Sequence, residues 1–163
     1  MSGPELEVRK LALAVFAANS QLVSAGNELV AHLGLTSAWW QVLTALNYAS
    51  EPLPTAWIAR NMGMTRQAVQ RIVDLLASNG LVEFRLNPHH RRAKLVALTP
   101  AGIDAVNRAE QAAGPIDRAI AERLGSKSIA DAIATLEAMN AVIAESLEAE
   151  RISLPKITKP KKG

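Results

Sequence analysis

The stretch of residues 54–98 constrains the fold most, because proline, glycine and asparagine divide it into short elements in a fixed order. Turn signals and hydrophobic periodicity predict a helix, a turn, a second helix and two strands, over residues 54–62, 63–64, 66–78, 81–86 and 94–98. The two strands pair most simply as a hairpin, since only a short, turn-rich segment separates them. This order is the winged helix-turn-helix plan, in which the hairpin is the wing.

The second helix of this unit has one apolar and one polar face. The apolar residues fall at the spacing i, i+3, i+4 and i+7 and are Val69, Ile72, Val73 and Leu76. In a DNA major groove, glutamine can pair with adenine and arginine with guanine, while Thr65 can reach a phosphate. The candidate DNA-binding residues of this helix are therefore Thr65, Arg66, Gln67, Gln70 and Arg71. An ordinary solvated surface would also be polar, so the helix alone does not decide between the two readings.

The tip of the predicted hairpin carries four basic or titratable residues in succession, which are His89, His90, Arg91 and Arg92. A hairpin with a structural role needs no such cluster, whereas a wing that inserts a guanidinium into a narrow minor groove does. We therefore predict that all four contact DNA. Metal binding by the two histidines is the alternative, but adjacent histidines without a third ligand make a poor site.

Long helices are predicted on both sides of the winged unit. The first runs from Glu5 to Leu33, the next begins after Thr99-Pro100 and is expected to kink or split at Gly114-Pro115, and the last carries an apolar stripe from Ile129 to Leu147. The small winged core leaves these stripes partly uncovered, which predicts a two-fold homodimer. We assign a helical dimerisation region, a DNA-binding domain and a basic, disordered tail, over residues 1–35 with 100–152, 36–99 and 153–163 respectively.

The net charge of +3 is distributed unevenly along the chain. Residues 54–98 carry a net charge of +5, and residues 155–163 add four lysines without an acid. The remainder of the chain therefore sums to −6. A basic middle and tail on an otherwise acidic chain are expected of a protein that binds nucleic acid.

The sequence offers little chemistry for catalysis. It has 3 histidines, no cysteine, and neither a carboxylate–histidine motif nor a glycine-rich phosphate loop. We therefore expect no enzymatic activity, no cofactor and no metal site. The lack of cysteine suits a cytoplasmic protein. We expect no membrane association, because the chain has neither a secretory signal pattern nor an apolar run of the ~20 residues that span a bilayer.

Several stretches resemble the multiple-antibiotic-resistance regulator (MarR) family. They are Gly34-Leu35-Thr36, Trp40-Gln41-Val42-Leu43, residues 58–69, residues 76–82 and, most specifically, the wing from Asn87 to Gly102. The resemblance spans roughly residues 6–150. It implies a mainly α fold with a small β-hairpin wing and an obligate homodimer made by the first, fifth and sixth helices. It also implies a repressor of transcription that binds double-stranded DNA with a pseudo-palindromic operator. A small-molecule effector, bound between the dimer domain and the DNA-binding lobe, would release the DNA.

Two positions depart from the family pattern. His90 stands where the family has an aspartate that braces the wing arginine, here Arg92. Either the wing is looser in this chain, or Arg92 is freed and His90 adds to the DNA contact. Trp39 adjoins Trp40, which occupies a position that the family buries. Trp39 lies about 100° further round the helix, so it lines an effector pocket or packs on the surface.

The function predicted from the sequence is a sequence-specific, DNA-binding transcription regulator. The alternative is a winged-helix module that binds other proteins and has lost DNA binding. Retention of Arg66, Gln70, Arg71 and Arg92 argues against that alternative.

Overall fold

A computed structural model describes residues 3–90 and 92–153. In chain order the elements are α1 (Gly3–Val30), a 3-10 turn (Ala31–Leu33), α2 (Ser37–Asn47), β1 (Leu53–Pro54), α3 (Thr55–Asn61), α4 (Arg66–Ser78), β2 (Val82–Arg85), β3 (Leu95–Leu98), α5 (Pro100–Leu124) and α6 (Ser126–Ser153). The fold is mainly helical with one small antiparallel sheet, as the sequence predicts. Arg91 and residues 154–163, which include nearly all of the basic tail, lie outside the described residues.

The sheet has three strands in the order β1-β3-β2, whereas the sequence predicted only the two strands of the hairpin. The additional strand, β1, pairs with β3 through Leu53 opposite Val96 and Pro54 opposite Leu95. Pro54 was expected in the first turn of the following helix. It instead has an extended backbone (φ −72°, ψ 143°) and precedes that helix as its N-cap. A proline fits there because β1 is an edge strand, where its missing N–H costs no ladder hydrogen bond.

The hydrophobic core lies between α2, α3, α4 and the sheet. On α4 the predicted apolar face is confirmed, with Val69, Val73 and Leu76 fully buried and Ile72 packed half-buried against them. Leu43 of α2 is also fully buried in this core. Each such side chain contributes roughly 1.5–3 kcal/mol by leaving water. The core therefore holds α4 in place, with its polar face directed outwards.

The start of α5 is tied to the base of the wing by hydrogen bonds of Thr99. Its hydroxyl donates to the carbonyl of Gly80 (2.6 Å) and accepts from the N–H of Gly102 (3.0 Å), so Thr99 caps the helix. Its own N–H donates to the carbonyl of Leu81 (3.1 Å). Gly102 approaches this carbonyl so closely that a Cβ at position 102 would overlap it.

α5 continues without a break through Pro115, so the helix does not split there. The chain nevertheless divides at this proline into two compact units, one ending at Pro115 and one beginning at Ile116. The first unit contains α1, the winged core and the first part of α5. The second contains the rest of α5, the turn at Gly125 (φ +76°) and α6.

α1 exposes large apolar side chains on more than one side. They include Val8, Leu13, Phe16 and Leu22, each exposed by 59% to 69%. The apolar stripe of α6 is likewise exposed, with Ile133, Ile143 and Leu147 near 50%. No single helix in the described ranges is long and apolar enough to cross a membrane. One bent pair, Gly3–Leu33 with Ser37–Asn47, meets the length and composition criteria only when taken together.

Candidate nucleic-acid interface

The N-terminus of α4 is fixed by a glycine turn and a threonine cap. Gly63 has a left-handed backbone (φ +61°), which glycine adopts without strain and which separates α3 from the following segment. The hydroxyl of Thr65 accepts a hydrogen bond from the N–H of Ala68 (3.1 Å), so Thr65 is the N-cap of α4. Arg66, the first residue of α4, follows immediately. The turn therefore presents its side chain to solvent beside the first-turn backbone N–H groups that have no partner within the helix.

A cleft of about 390 Å³ separates α4 from the wing and the start of α3. Its walls are formed by Pro54, Thr55, Ala56, Arg66, Gln70, Asp74, Phe84, Arg92, Ala93 and Lys94. The structure thus brings together three of the residues predicted from sequence, Arg66 and Gln70 of α4 and Arg92 of the wing. Four other predicted residues are exposed but lie outside the cleft wall. They are Gln67, Arg71, His89 and His90.

The charges of this cleft are mostly positive. Arg66, Arg92 and Lys94 are exposed, and no carboxylate among the described residues lies within ion-pair distance of them. Asp74 supplies the one acidic side chain of the wall, and it accepts a hydrogen bond from the amide of Gln70 (2.8 Å). Three cations against one carboxylate attract a polyanion, and their charges are free for phosphates.

Lys94 and Phe84 were not predicted as site residues. The ammonium of Lys94 lies over the ring of Phe84, 5.4 Å from its centroid. Such a cation–π contact is worth about 0.5–1 kcal/mol at an exposed site, and it holds the lysine against the cleft. The strand register would have predicted this contact. Because Arg85 pairs with Leu95, position 94 is a diagonal neighbour of position 84.

The wing tip is a turn organised by Asn87. Its side-chain oxygen accepts from the N–H of His89 (2.9 Å), and its backbone carbonyl accepts from the N–H of His90 (3.3 Å). The carbonyl of His90 then accepts from the N–H of Ala93 (3.1 Å). Local hydrogen bonds therefore shape the tip, and none of the described carboxylates forms an ion pair with Arg92.

A second cavity, of about 630 Å³, lies between α1, α2 and the end of α3. Its lining is Asn19, Leu22, Val23, Ser37, Trp40, Gln41, Thr44, Ala45, Asn61 and Met62. Trp40, rather than the predicted Trp39, is part of this lining. Trp39 and Trp40 are both half-buried against the hydrophobic core. The position of Trp39 does not bring it to the wall of this cavity.

α1 is attached to α2 beside this cavity. The side-chain oxygen of Asn27 accepts a hydrogen bond from the N–H of Ser37 (2.8 Å), which satisfies one free donor at the start of α2. Gly26 allows the approach, because a Cβ at position 26 would lie 2.8 Å from the hydroxyl of Ser37.

Comparison with known proteins agrees with this geometry. Residues 33–93 match the MarR family. The chain is 38% identical over 96 residues to an uncharacterized protein of Mycobacterium tuberculosis, covering 59% of this chain and 66% of that protein. It is 30% identical over 111 residues to the multiple antibiotic resistance protein MarR of Escherichia coli, covering 68% of this chain and 74% of that protein. The crystal structure of a MarR mutant from Escherichia coli complexed with operator DNA matches with a TM-score of 0.69, at 24% identity over 82% of this chain and 95% of that one.

The fold, with a basic cleft between α4 and the wing, is that of a winged-helix protein. The chain belongs to the MarR family of transcription regulators. It spans 66% of the length of its mycobacterial relative.

Proposed function

We propose that this chain binds double-stranded operator DNA as a homodimer and represses transcription until a small-molecule effector releases it. The observation that carries the proposal is the cleft in which Arg66 and Gln70 of α4 meet Arg92 and Lys94 of the wing. The structure of the Escherichia coli MarR mutant was determined with operator DNA, which supports DNA as the partner here.

In the proposed complex, α4 enters a major groove and the wing lies along the neighbouring minor groove. Thr65 donates its hydroxyl proton to a phosphate. The base edges are contacted by four residues of α4, which are Arg66, Gln67, Gln70 and Arg71. On the wing, the contacts come from His89, His90, Arg91 and Arg92. The basic cleft between the two elements then spans the phosphate backbone that separates the grooves, where its cations displace counterions.

The homodimer is supported by the apolar side chains that α1 and α6 leave exposed. Large apolar side chains that are exposed along two long helices favour a surface that a second chain covers. A two-fold dimer carries two copies of α4, so its operator should be a pseudo-palindrome with half-sites about 10 bp apart, centre to centre. Footprinting that revealed one asymmetric half-site would contradict this geometry.

Release by an effector is supported by the 630 Å³ cavity, whose volume suits a small organic molecule. Asn61 and Met62 in its lining end α3 and stand only three or four residues before Thr65, the cap of α4. A molecule that displaces this end of α3 would tilt α4 away from its DNA-binding orientation. Trp39 does not line this cavity, but it is adjacent in sequence to Trp40, which does, and it remains a candidate contact of the effector.

The family assignment also supports our expectation that the protein has no catalytic activity. If DNA is its partner, the protein acts in the cytoplasm. The alternative is a winged helix that binds only proteins. It is less favoured because the cleft carries three cations that form no ion pair with a described carboxylate, an arrangement that suits a polyanion such as DNA.

The deciding experiment is a gel shift with the DNA upstream of the chain's own gene. We expect a salt-sensitive shift that survives excess unrelated DNA and is lost in an Arg66→Ala/Arg92→Ala double variant. Arg108→Ala is the matched control, because Arg108 is an exposed arginine of α5 outside the cleft. The absence of any shift at low salt would favour the protein-binding alternative.

A further inference from the structure

The side chain of Gln70 is held by one hydrogen bond, and that bond decides which end of its amide faces outwards. An amide has an oxygen that accepts and an NH2 group that donates, whereas a carboxylate only accepts. The contact of 2.8 Å with Asp74 therefore uses the NH2 end of the amide. The oxygen of Gln70 and its second N–H are left for another partner.

The surroundings leave Asp74 with Gln70 rather than with a cation. The two residues are spaced i, i+4, at which glutamine and aspartate side chains meet on a helix. In the described part of the chain this carboxylate forms no ion pair, although Arg66 and Arg92 line the same cleft. Gln70 is also half-buried in the cleft wall, which restricts its side chain further.

The outward end of this amide matches one base better than the other three. In the major groove adenine presents a donor at N6 beside an acceptor at N7, which is the complement of an oxygen beside an N–H. Guanine presents two acceptors, so its O6 would face the oxygen of Gln70. Thymine offers one acceptor and cytosine one donor, so each makes a single hydrogen bond. Turning the amide over to suit another base would bring its oxygen against the carboxylate of Asp74.

We propose that Gln70 selects adenine and rejects guanine at one position of each operator half-site, and that Asp74 is the positioning residue for this choice. The proposal rests on the proposed function, because it needs α4 in a major groove, and it adds the base that one side chain recognises. The competing interpretation is that the Gln70–Asp74 pair only stabilises the surface of α4.

The test is a selection by the full chain from duplexes that are randomised over roughly 20 base pairs, enough for two half-sites about 10 bp apart. Sequencing of the bound fraction gives the preference for each base at each position. We expect one position per half-site at which adenine is preferred over guanine by at least about fivefold, the lower end for a two-bond contact. In Gln70→Ala the preference at this position should disappear, while the others remain.

Gln70→Glu tests the identity of the base, because glutamate accepts hydrogen bonds but donates none. At the same position the preferred base should change from adenine to cytosine, whose N4 amino group donates to carboxylates. A change of base at one position cannot come from damage to the fold. If the added charge prevents the recovery of any DNA, Gln70→Ala still decides the question.

Asp74→Ala tests the positioning role. Without the carboxylate the amide can turn over, so the preference for adenine over guanine at that position should fall by about twofold, the factor that corresponds to one hydrogen bond on a helix surface. The preferences at other positions should stay unchanged. Asp117→Ala, which removes an exposed carboxylate of α5 outside the cleft, is the control.

The proposal is overturned if wild-type and Gln70→Ala chains select the same bases at every position, or if the position that Gln70→Ala alters prefers guanine. Wild-type preferences in Asp74→Ala overturn the positioning role, and an equal loss at all positions favours the competing interpretation. Failure of the proposed function has a different signature, because the wild-type chain would then recover no DNA at all from the pool.

Discussion

The side-chain amide of Gln70 donates a hydrogen bond of 2.8 Å to the carboxylate of Asp74, one turn further along α4. Both residues line the cleft that also contains Arg66, Arg92 and Lys94. The carboxylate therefore orients the amide of a residue that is proposed to contact bases. It also places one negative charge on a surface that is proposed to meet phosphates. Asp74 should thus weaken binding to DNA in general while improving the choice among sequences.

Replacing Asp74 by asparagine tests this double role. Asp74→Asn keeps the shape but removes the charge, so affinity for unrelated DNA should rise by a factor of about 3–10, which corresponds to roughly 1 kcal/mol at a solvated surface. The ratio of operator to non-operator affinity should fall. Fluorescence anisotropy with an operator duplex and a scrambled duplex measures both quantities. Asp117→Asn, an exposed carboxylate of α5 outside the cleft, is the control, and equal effects of the two variants would refute a local role.

Gly102 is predicted to be essential for stability, although it lies outside the DNA-contacting surface. A Cβ at this position would overlap the backbone carbonyl of Leu81, which is hydrogen-bonded to Thr99 and has little freedom to move. Gly102→Ala should therefore lower the free energy of unfolding by ~2 kcal/mol or more, despite the better helix propensity of alanine. Urea unfolding followed by circular dichroism measures the change. Gly3→Ala is the control, because nothing lies within 4 Å of its added Cβ.

The dimer prediction can be tested on α1. Phe16 is 69% exposed in the single chain, so Phe16→Glu should be tolerated by the fold but should place a charge in the proposed interface. Sedimentation velocity should show a dimer for the wild-type chain at micromolar concentration and a monomer for the variant. Leu86→Glu replaces a more exposed residue (88%) near the wing and should remain dimeric. A wild-type chain that sediments as a monomer would contradict the prediction outright.

Most of the elements that were predicted correctly depend on interactions between residues close together in the sequence. The bounds of α4 follow from the turn residues on either side of it and from apolar residues at helical spacing, which act within a few residues. The strand β1 escaped prediction because it has two residues and pairs with a strand about 40 positions later. Its proline is also typical of a helix start, so the local signal favoured the wrong element.

The candidate site was predicted less completely, because a site depends on elements that are distant in sequence. The sequence identified Arg66, Gln70 and Arg92, but it gave no reason to place Lys94 on the ring of Phe84 until the strand register was known. The two tryptophans illustrate the same limit. The pattern on α2 shows which side of the helix is apolar, but the cavity beside Trp40 exists only because α1 packs across α2 at Gly26.

The proposed roles of α4 and the wing predict two different losses of DNA binding. Gln70 and Arg71 lie on the polar face of α4, where a major groove offers a distinct pattern for each base pair. Gln70→Ala or Arg71→Ala should therefore cost ~1–3 kcal/mol on the operator and should reduce discrimination against a mutated operator. Titration of both duplexes at one salt concentration gives the two affinities.

Arg92→Ala should behave differently, because the minor groove and the phosphates carry little sequence information. Its affinity should fall alike for operator and unrelated DNA, and the slope of log K against log salt should decrease in magnitude by about one unit. Titrations over a range of salt concentrations measure this slope. Arg118→Ala, an exposed arginine of the second unit, should leave it unchanged. If Arg92→Ala also leaves the slope and the non-specific affinity unchanged, the wing is not a DNA contact, and the cleft between α4 and the wing has another partner.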